Sequence, residues 1–233
     1  SERFRICEFI AAFLSKNRVS INLRLNPSIK DVRPFLWINY GKSPPHFESK
    51  IRYTTELNFS DIDLNSIDNS VFSNFSKARR QEINYAYKDN LVVEILEDLE
   101  IFYEMYEYMF NEIGQNIPID RMVMIKNICT NLSKSQMLKP VVCLDSSNNL
   151  LSTAIFGTMS KRAYYLYGAS SRERINKHSG SLIIWEAIKY LSKNGITNLD
   201  FEGINSPNRG WFKTSFGGEI IPYYSLGLQH ERK

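Results

Sequence analysis

The sequence has few of the residues that build disulfide frameworks and metal sites. Its three cysteines share no CxxC spacing, and two lie in apolar runs where buried thiols are common, which favours a reducing cytoplasm; they are Cys7, Cys129 and Cys143. The three histidines are scattered, with no cysteine or carboxylate cluster beside them, so we expect no metal site; they are His46, His178 and His230.

Long apolar runs and a strong excess of one charge are also missing. No run reaches the length of a membrane span, and no signal peptide opens the chain. Twenty-nine basic against twenty-five acidic residues give a net charge of +4, spread along 233 residues, so nucleic-acid binding is not demanded. A content of 43% hydrophobic residues supports one large or two modest packed domains.

Hydrophobic periodicity predicts two regions. In the first, we expect a helix, a strand, a short helix and an extended segment: 1–16, 20–25, 31–40 and 49–57. The polar stretch 61–74 buries little and is the expected boundary, which gives domains 1–75 and 76–233. In the second region we expect helices over 76–89, from Leu99 and from Pro118, with strands at 91–95, 140–145, 150–157 and 163–170.

The segment from Tyr164 onward predicts a βαβ crossover. The strand AYYLYGAS leads through a polar loop into the helix LIIWEAIKYLSKN, which Gly195 ends before the strand NLDFEG. Parallel pairing of the two strands places the loop and the helix start at the strand ends, where ligands usually bind. The remaining residues predict a short helix and a closing pair of strands.

An internal repeat links the two ends of the chain. Phe13–Asn17 matches Tyr190–Asn194, and Arg33–Gly41 then matches Arg209–Gly217 in the same order of helix, strand and short helix. We infer a duplication in which the chain begins inside the first copy. The counterpart of Lys213 in that copy is Trp37.

Five motifs carry a family resemblance: SKARRQEI, YLYGASS, SGSLIIWEAIKYLSKNG, LDFEG and GWFKTSFGGEIIPYYSL. Over about 76–228 the chain resembles the FemAB-like branch of the GNAT superfamily. The resemblance implies an α/β fold, a GNAT-like mixed sheet flanked by helices, with the remainder of a second, non-catalytic GNAT-like domain before it. That branch includes aminoacyltransferases that build peptidoglycan bridges from aminoacyl-tRNA, and N-acyltransferases that use acyl-CoA.

The chain departs from the GNAT pattern in its pyrophosphate loop, which is present as the weakened form Lys177-His178-Ser179-Gly180-Ser181. Backbone amides at a helix start, with Lys177, Arg172 and Arg174 beside them, could bind the pyrophosphate of CoA. Ordinary capping by a serine is the alternative. The long charged helical arm of some tRNA-using members is not evident, which favours a CoA thioester.

The resemblance also implies that the thioester lies along Tyr167, Gly168 and Ala169. A glycine there permits close approach of a ligand, or else marks a bulge. Asn205 could bond the pantetheine amides, or shape a turn with Pro207.

The expected catalytic residues are Asp200, Glu202 and Lys213. Strand alternation sends both carboxylates to one face, where either could accept the proton of an amine; an ion pair with Lys213 or Arg209 is the alternative. The resemblance implies that Phe212 and Lys213 contact the donor, with the ammonium stabilising the oxyanion. A surface lysine is the alternative. Four tyrosines could protonate the leaving group: Tyr165, Tyr167, Tyr223 and Tyr224.

These observations predict an N-acyltransferase in which a primary amine, for example on a nucleotide-linked amino sugar, attacks acyl-CoA directly. Acetyl-CoA or another acyl-CoA is the expected co-substrate, with no metal. One alternative is an aminoacyl-tRNA-dependent enzyme of cell-wall synthesis, and another is a non-catalytic ligand-binding module. The acyl chain, the acceptor and the oligomeric state stay open.

Overall fold

The computed structural model describes residues 2–16, 20–43, 45–63, 70–171 and 178–228. Its helices and strands, in chain order, are α1 (Glu2–Ser15), β1 (Ile21–Arg24), α2 (Arg33–Leu36), β2 (Phe47–Asn58), α3 (Ser70–Ser73), α4 (Lys77–Lys88), β3 (Val92–Ile95), α5 (Leu99–Asn111), α6 (Ile119–Lys134), β4 (Leu138–Leu144), β5 (Leu150–Met159), β6 (Arg162–Ser170), α7 (Ser179–Lys193), β7 (Asn198–Gly203), α8 (Pro207–Thr214) and β8 (Glu219–Leu228).

The chain forms two compact units. The first combines residues 1–54, 203–207 and 220–233, and the second combines 55–202 and 208–219. In the first unit β1 pairs antiparallel with β8, Ile21 lying opposite Leu228. Its core joins α1, α2 and these strands through the buried residues Cys7, Ala11, Val32, Phe35, Phe47, Leu226 and Leu228.

Local signals in the sequence explain where the helices of the second unit begin. The Ser76 hydroxyl accepts a hydrogen bond from the backbone N–H of Arg79 at the start of α4. The Asp98 carboxylate likewise accepts from the backbone N–H of Glu100 at the start of α5. Each cap satisfies a helix N–H group that has no partner within the helix.

A mixed sheet divides the second unit into three layers. Strands β3 to β6 pair antiparallel in chain order, and β6 pairs parallel with β7. Alternation along β4 sends Val141 and Cys143 into the core under α4 and α7, and Val142 into the core under α5 and α6. A mixed sheet with helices on both faces is the predicted fold class.

Strand β6 is irregular where the sheet meets α8. Tyr167 lies opposite Ile155 and Tyr165 opposite Phe156, so Leu166 is an extra residue in β6. Within the described chain the parallel pairing of β6 with β7 extends only from Arg162 to Tyr164. Bulges bend a strand and redirect its side chains. Beyond Tyr164, β6 therefore leaves room for a ligand beside its backbone.

Most predicted elements are present, with three local corrections. The segment 61–74, expected to bury little, contains α3, whose Val71 is buried in the core under α4 and α7. The short helix expected over 31–40 spans only Arg33–Leu36. The expected closing pair of strands is wrong, because Glu219–Leu228 is one continuous strand. The order α1-β1-α2-β2 repeats as α7-β7-α8-β8, which supports the inferred duplication. The division into domains 1–75 and 76–233 stays a prediction.

Among the residues that the structure describes, no helix combines the length and the apolar character needed to cross a membrane.

Gly217 fixes the end of α8 against the segment that precedes α4. Its φ is +74°, and a Cβ atom added there would lie 2.4 Å from the carbonyl oxygen of Asn74. Gly195 has a similar φ of +77° but open space around it. We expect Gly195→Ala to lower the free energy of unfolding by about 1 kcal/mol through the positive φ alone. Gly217→Ala should lower it by about 1–3 kcal/mol more, through steric overlap with fixed backbone.

Urea unfolding of the two variants measures this difference. Equal losses of stability in both would show that the Asn74 carbonyl does not constrain α8.

Candidate functional site

A cavity of about 320 Å³ lies where β6 faces α8 and α5. Its walls are aromatic and apolar, with two cations and an amide as polar groups; they are Tyr106, Met109, Tyr165, Leu166, Tyr167, Gly168, Asn208, Arg209, Phe212 and Lys213. The volume is at the lower end of the range that small-molecule sites occupy. Five of the residues predicted as site residues line it: Tyr165, Tyr167, Gly168, Phe212 and Lys213.

Lys213 carries its ammonium group into this apolar environment. Burial lowers the pKa of Lys213 to about 8; the negative charges of Glu202 and Asp200 oppose this shift, and the Arg209 guanidinium adds to it. The Lys213 Nζ atom lies 5.6 Å from the centroid of the Tyr165 ring, in cation–π range. The site therefore holds an ammonium group that is poorly solvated and available to a developing negative charge.

The backbone of β7 is irregular at Glu202, two residues after Asp200. Glu202 has φ of +61°, a left-handed conformation that side chains rarely adopt. Its backbone N–H donates a hydrogen bond of 2.8 Å to Oδ1 of Asp200, whose side chain is nearly buried. The Asp200 carboxylate therefore stabilises the turned backbone at Glu202, and both carboxylates act on the charge of Lys213.

The first turn of α7 is occupied by the protein's own charges. The Ser181 hydroxyl donates a hydrogen bond of 2.5 Å to the Glu82 carboxylate and accepts one of 2.7 Å from the Arg79 guanidinium. Arg79 and Glu82 also form an ion pair at 2.7 Å. The Ser181 backbone N–H is bonded to the carbonyl of His178. We refer to Arg79, Glu82 and Ser181 as the α4–α7 cluster.

Phe212 connects the α4–α7 cluster to the cavity. Its ring lies under the Arg79 guanidinium, 5.0 Å from the ring centroid. A Cβ atom added at Gly180 would be 4.0 Å from its Cζ atom. Phe212 therefore covers the start of α7 on one side and lines the cavity on the other. Because Phe212 is held by these contacts, the next residue on α8, Lys213, also has a fixed position.

The remaining predicted site residues lie apart from the cavity walls. Ala169 is buried in the core under α5, and Ser179 is buried at the start of α7. Lys177, with Arg172 and Arg174, lies outside the described residues. In the first unit, the Asn205 side chain donates to and accepts from the main chain of Tyr53, at 2.9 Å each.

Three features of the site have no signal in the sequence analysis: the extra residue in β6, the positive φ of Glu202 and the role of Glu82. Each feature depends on pairing between distant parts of the chain or on a local bend that residue type does not specify. No group of three or more histidine, cysteine or carboxylate side chains in the described segments is arranged to bind a metal ion.

The poor solvation of Lys213 predicts that the group destabilises the fold. Below pH 8 the Lys213 side chain is charged in both the folded and the unfolded state, so burying the charge lowers the free energy of unfolding by its full amount. Between pH 8 and 10.5 the folded state loses its proton before the unfolded state does, and this loss of stability fades. We expect Lys213→Met to raise the free energy of unfolding at pH 7 by about 1–3 kcal/mol, and to have little effect near pH 10.5.

Thermal unfolding at pH 7 and pH 10 measures this difference, with the exposed Lys193→Met as the control. A loss of stability on replacing Lys213 would instead assign it a structural ion pair with a carboxylate.

The bend at Glu202 predicts an unusual response to glycine. We expect Glu202→Gly to stabilise the fold by about 0.5–1 kcal/mol, because it removes a side chain at positive φ. Glu202→Ala keeps the Cβ atom and should not stabilise. Chemical denaturation of both variants separates backbone strain from loss of the carboxylate, and a destabilised Glu202→Gly would refute the strained bend.

Comparisons with known proteins identify the fold. The sequence matches no protein-family model, and no curated protein is similar enough to count as a match. Among solved structures, FemX superposes with a TM-score of 0.67 at 14% identity, over 95% of this chain and 77% of FemX. The C-terminal domain of an Agrobacterium fabrum protein described as a lysylphosphatidylglycerol synthetase has a TM-score of 0.53 at 11% identity.

The match to that domain covers 79% of this chain and 62% of the Agrobacterium chain, which is less than two thirds of its length. A GCN5-related glucosamine N-acetyltransferase region of a fungal multi-domain β-N-acetylglucosaminidase has a TM-score of 0.52 at 11% identity, over 85% of this chain and 23% of that protein. At these identities the similarity concerns the fold alone. The chain therefore has a GNAT-like fold of the FemAB-like type, as the sequence motifs predict.

Proposed function

We propose that this chain transfers an acyl or aminoacyl group from an activated donor to an amine. The observation that carries the proposal is the Lys213 ammonium, held in an apolar cavity beside the irregular part of β6. Acyl transfer to an amine passes through a tetrahedral intermediate with a negative oxygen. A fixed cation in a dry site stabilises such an oxygen more than it stabilises the neutral carbonyl of the donor.

Glu202 is the proposed base. An amine must lose a proton to attack, and the carboxylate of Glu202 influences the charge of Lys213, so both groups act in one electrostatic field. Asp200 is better suited to holding the bend than to exchanging protons, because its Oδ1 atom accepts the Glu202 backbone N–H. We therefore assign Asp200 a positioning role.

There are two candidates for the acyl donor, acyl-CoA and an aminoacyl ester. Acyl-CoA, with its pyrophosphate at Ser179, Gly180 and Ser181, is the donor that the sequence analysis favours. The α4–α7 cluster argues against it, because the Glu82 carboxylate is bonded to Ser181 and would repel a pyrophosphate placed there. The Arg79 charge that could compensate is already paired with Glu82.

An aminoacyl ester, such as aminoacyl-tRNA, needs no pyrophosphate at the start of α7. The greater extent of the superposition on FemX than on the GCN5-related region supports this donor. We therefore favour an aminoacyl ester over acyl-CoA, and a small amine as acceptor.

The test compares donors. Purified protein is supplied with a mixture of aminoacyl-tRNAs or with acetyl-CoA, and with an amine panel that includes nucleotide-linked amino sugars; products are identified by mass spectrometry. We expect product from the ester donor only. We expect Lys213→Met to lower turnover by about a hundredfold, with donor affinity changed much less. Lys193→Met is the exposed control.

The pH profile supplies a second readout of the same test. Activity should fall as the pH rises through about 8, where Lys213 loses its proton. Lys213→Arg should retain activity at higher pH, because a guanidinium stays charged. Product from acetyl-CoA alone would reverse the donor assignment, and normal turnover by Lys213→Met would remove Lys213 from the mechanism.

A further inference from the structure

The hydroxyl of Tyr165 lies at the cavity without an assigned partner. Tyr165 lines the cavity together with Gly168 and Lys213. Across the segments that the structure describes, the Tyr165 hydroxyl makes no hydrogen bond. The Ser181 hydroxyl, by contrast, both accepts and donates a hydrogen bond. Phenolic hydroxyl groups in protected environments usually find a partner. An unpartnered hydroxyl beside a cavity is therefore available to a ligand.

The absence of a side chain at Gly168 leaves the space that the Tyr165 hydroxyl occupies. A Cβ atom added at Gly168 would lie only 2.0 Å from the Tyr165 oxygen and 2.9 Å from Cζ of the same ring. Any side chain at position 168 would therefore displace the phenol. The close approach depends on the extra residue Leu166, which alters the strand between Tyr165 and Gly168.

Packing keeps the ring of Tyr165 in position. Phe156 lies 5.4 Å away between ring centroids, and Phe201 lies 6.4 Å away in an edge-to-face arrangement. The Lys213 Nζ atom lies 5.6 Å from the ring centroid. Burial raises the pKa of Tyr165 to about 12. The group is therefore a fixed, protonated hydroxyl that can donate a hydrogen bond.

We propose that the Tyr165 hydroxyl and the Lys213 ammonium together bind the oxygen of the acyl carbonyl, and that Gly168 is the residue that makes this pairing possible. The inference rests on the proposed acyl transfer. When the amine nitrogen forms its bond to the carbonyl carbon, the π electrons move to the oxygen, which both donors then stabilise. The amine gives a proton to Glu202. As the C=O bond re-forms, the bond to the leaving oxygen breaks, and that oxygen takes up the proton that Glu202 received, which restores the carboxylate.

This arrangement adds a side-chain hydrogen-bond donor to the site and defines where the acyl carbonyl must bind. The carbonyl must reach the space above Gly168, between the phenol and the ammonium. In this proposal both donors bind one oxygen, so their contributions are coupled, and loss of either leaves the other poorly matched to the charge.

The test uses hydroxylamine as the acceptor probe, with an aminoacyl-tRNA mixture and, separately, acetyl-CoA as donors; hydroxamate formation is measured. We expect Tyr165→Phe, which keeps the ring and removes only the oxygen, to lower kcat about a hundredfold with KM nearly unchanged. The control is Tyr164→Phe, which removes a hydroxyl from the same strand outside the cavity walls, and its kcat should stay within about threefold of the parent.

Gly168→Ala separates positioning from folding. The added methyl group should displace the phenol, which a crystal structure of the variant would show, and kcat should fall about as far as in Tyr165→Phe. The double variant Tyr165→Phe/Gly168→Ala should be little worse than either single variant, because both remove the same hydrogen bond.

Three outcomes would overturn the inference. One is a Tyr165→Phe variant with normal kcat, and another is a double variant whose losses multiply. The third is a Gly168→Ala structure in which Tyr165 has not moved. Hydroxamate formation by the parent protein keeps these outcomes distinct from failure of the proposed function, whereas absence of product from both donors would refute the proposed function and this inference together.

Discussion

The separation of β6 from β7 beyond Tyr164 and Asp200 is the constraint on which the site depends. Two paired strands in the middle of a sheet leave no space between their backbones, and their side chains fill the layers above and below. The extra residue Leu166 interrupts that regularity. Tyr165 and Gly168 can then face a cavity of about 320 Å³ instead of a packed core.

The two strands reach this separation by different local means. In β6 the extra residue Leu166 alters the alternation, so Tyr165 packs against the core under α4 and α7 whereas Tyr167 packs against the core under α5 and α6. In β7 the backbone of Glu202 turns to a positive φ, and Asp200 holds that turn with its carboxylate. Unfavourable backbone conformations persist where surrounding contacts determine them, and they are concentrated at functional sites.

Placing the Lys213 ammonium in this cavity lowers the stability of the fold but favours the proposed reaction. Burial disfavours the ammonium of Lys213, and the carboxylates of Glu202 and Asp200 compensate only in part. A better solvated lysine would stabilise the fold but would interact less with a charge that develops during reaction. The aromatic wall formed by Phe212 and Tyr165 therefore serves both to hold the cation and to keep its surroundings apolar.

At the start of α7, the place where a helix could bind an external anion is next to a carboxylate of the protein itself. A helix N-terminus attracts negative charge, and in this protein the attracted charge is the Glu82 carboxylate. Arg79 neutralises it and rests on Phe212, next to Lys213 on α8. The helix start thus contributes to positioning α8. This internal use weakens the case for a nucleotide pyrophosphate at the same place.

The sequence by itself determined the features that depend on neighbours along the chain. Periodicity predicted α7 and the strands beside it, and the capping serine at position 76 marked the start of α4. The Phe212-Lys213 pair was found through its motif. Tertiary structure alone decided that Ser181 is bonded to Glu82, 99 residues away, and that the Tyr165 hydroxyl lies above Gly168. Capping and periodicity are local properties of the chain, whereas an extra strand residue or a buried ion pair becomes favourable only when distant segments pack together.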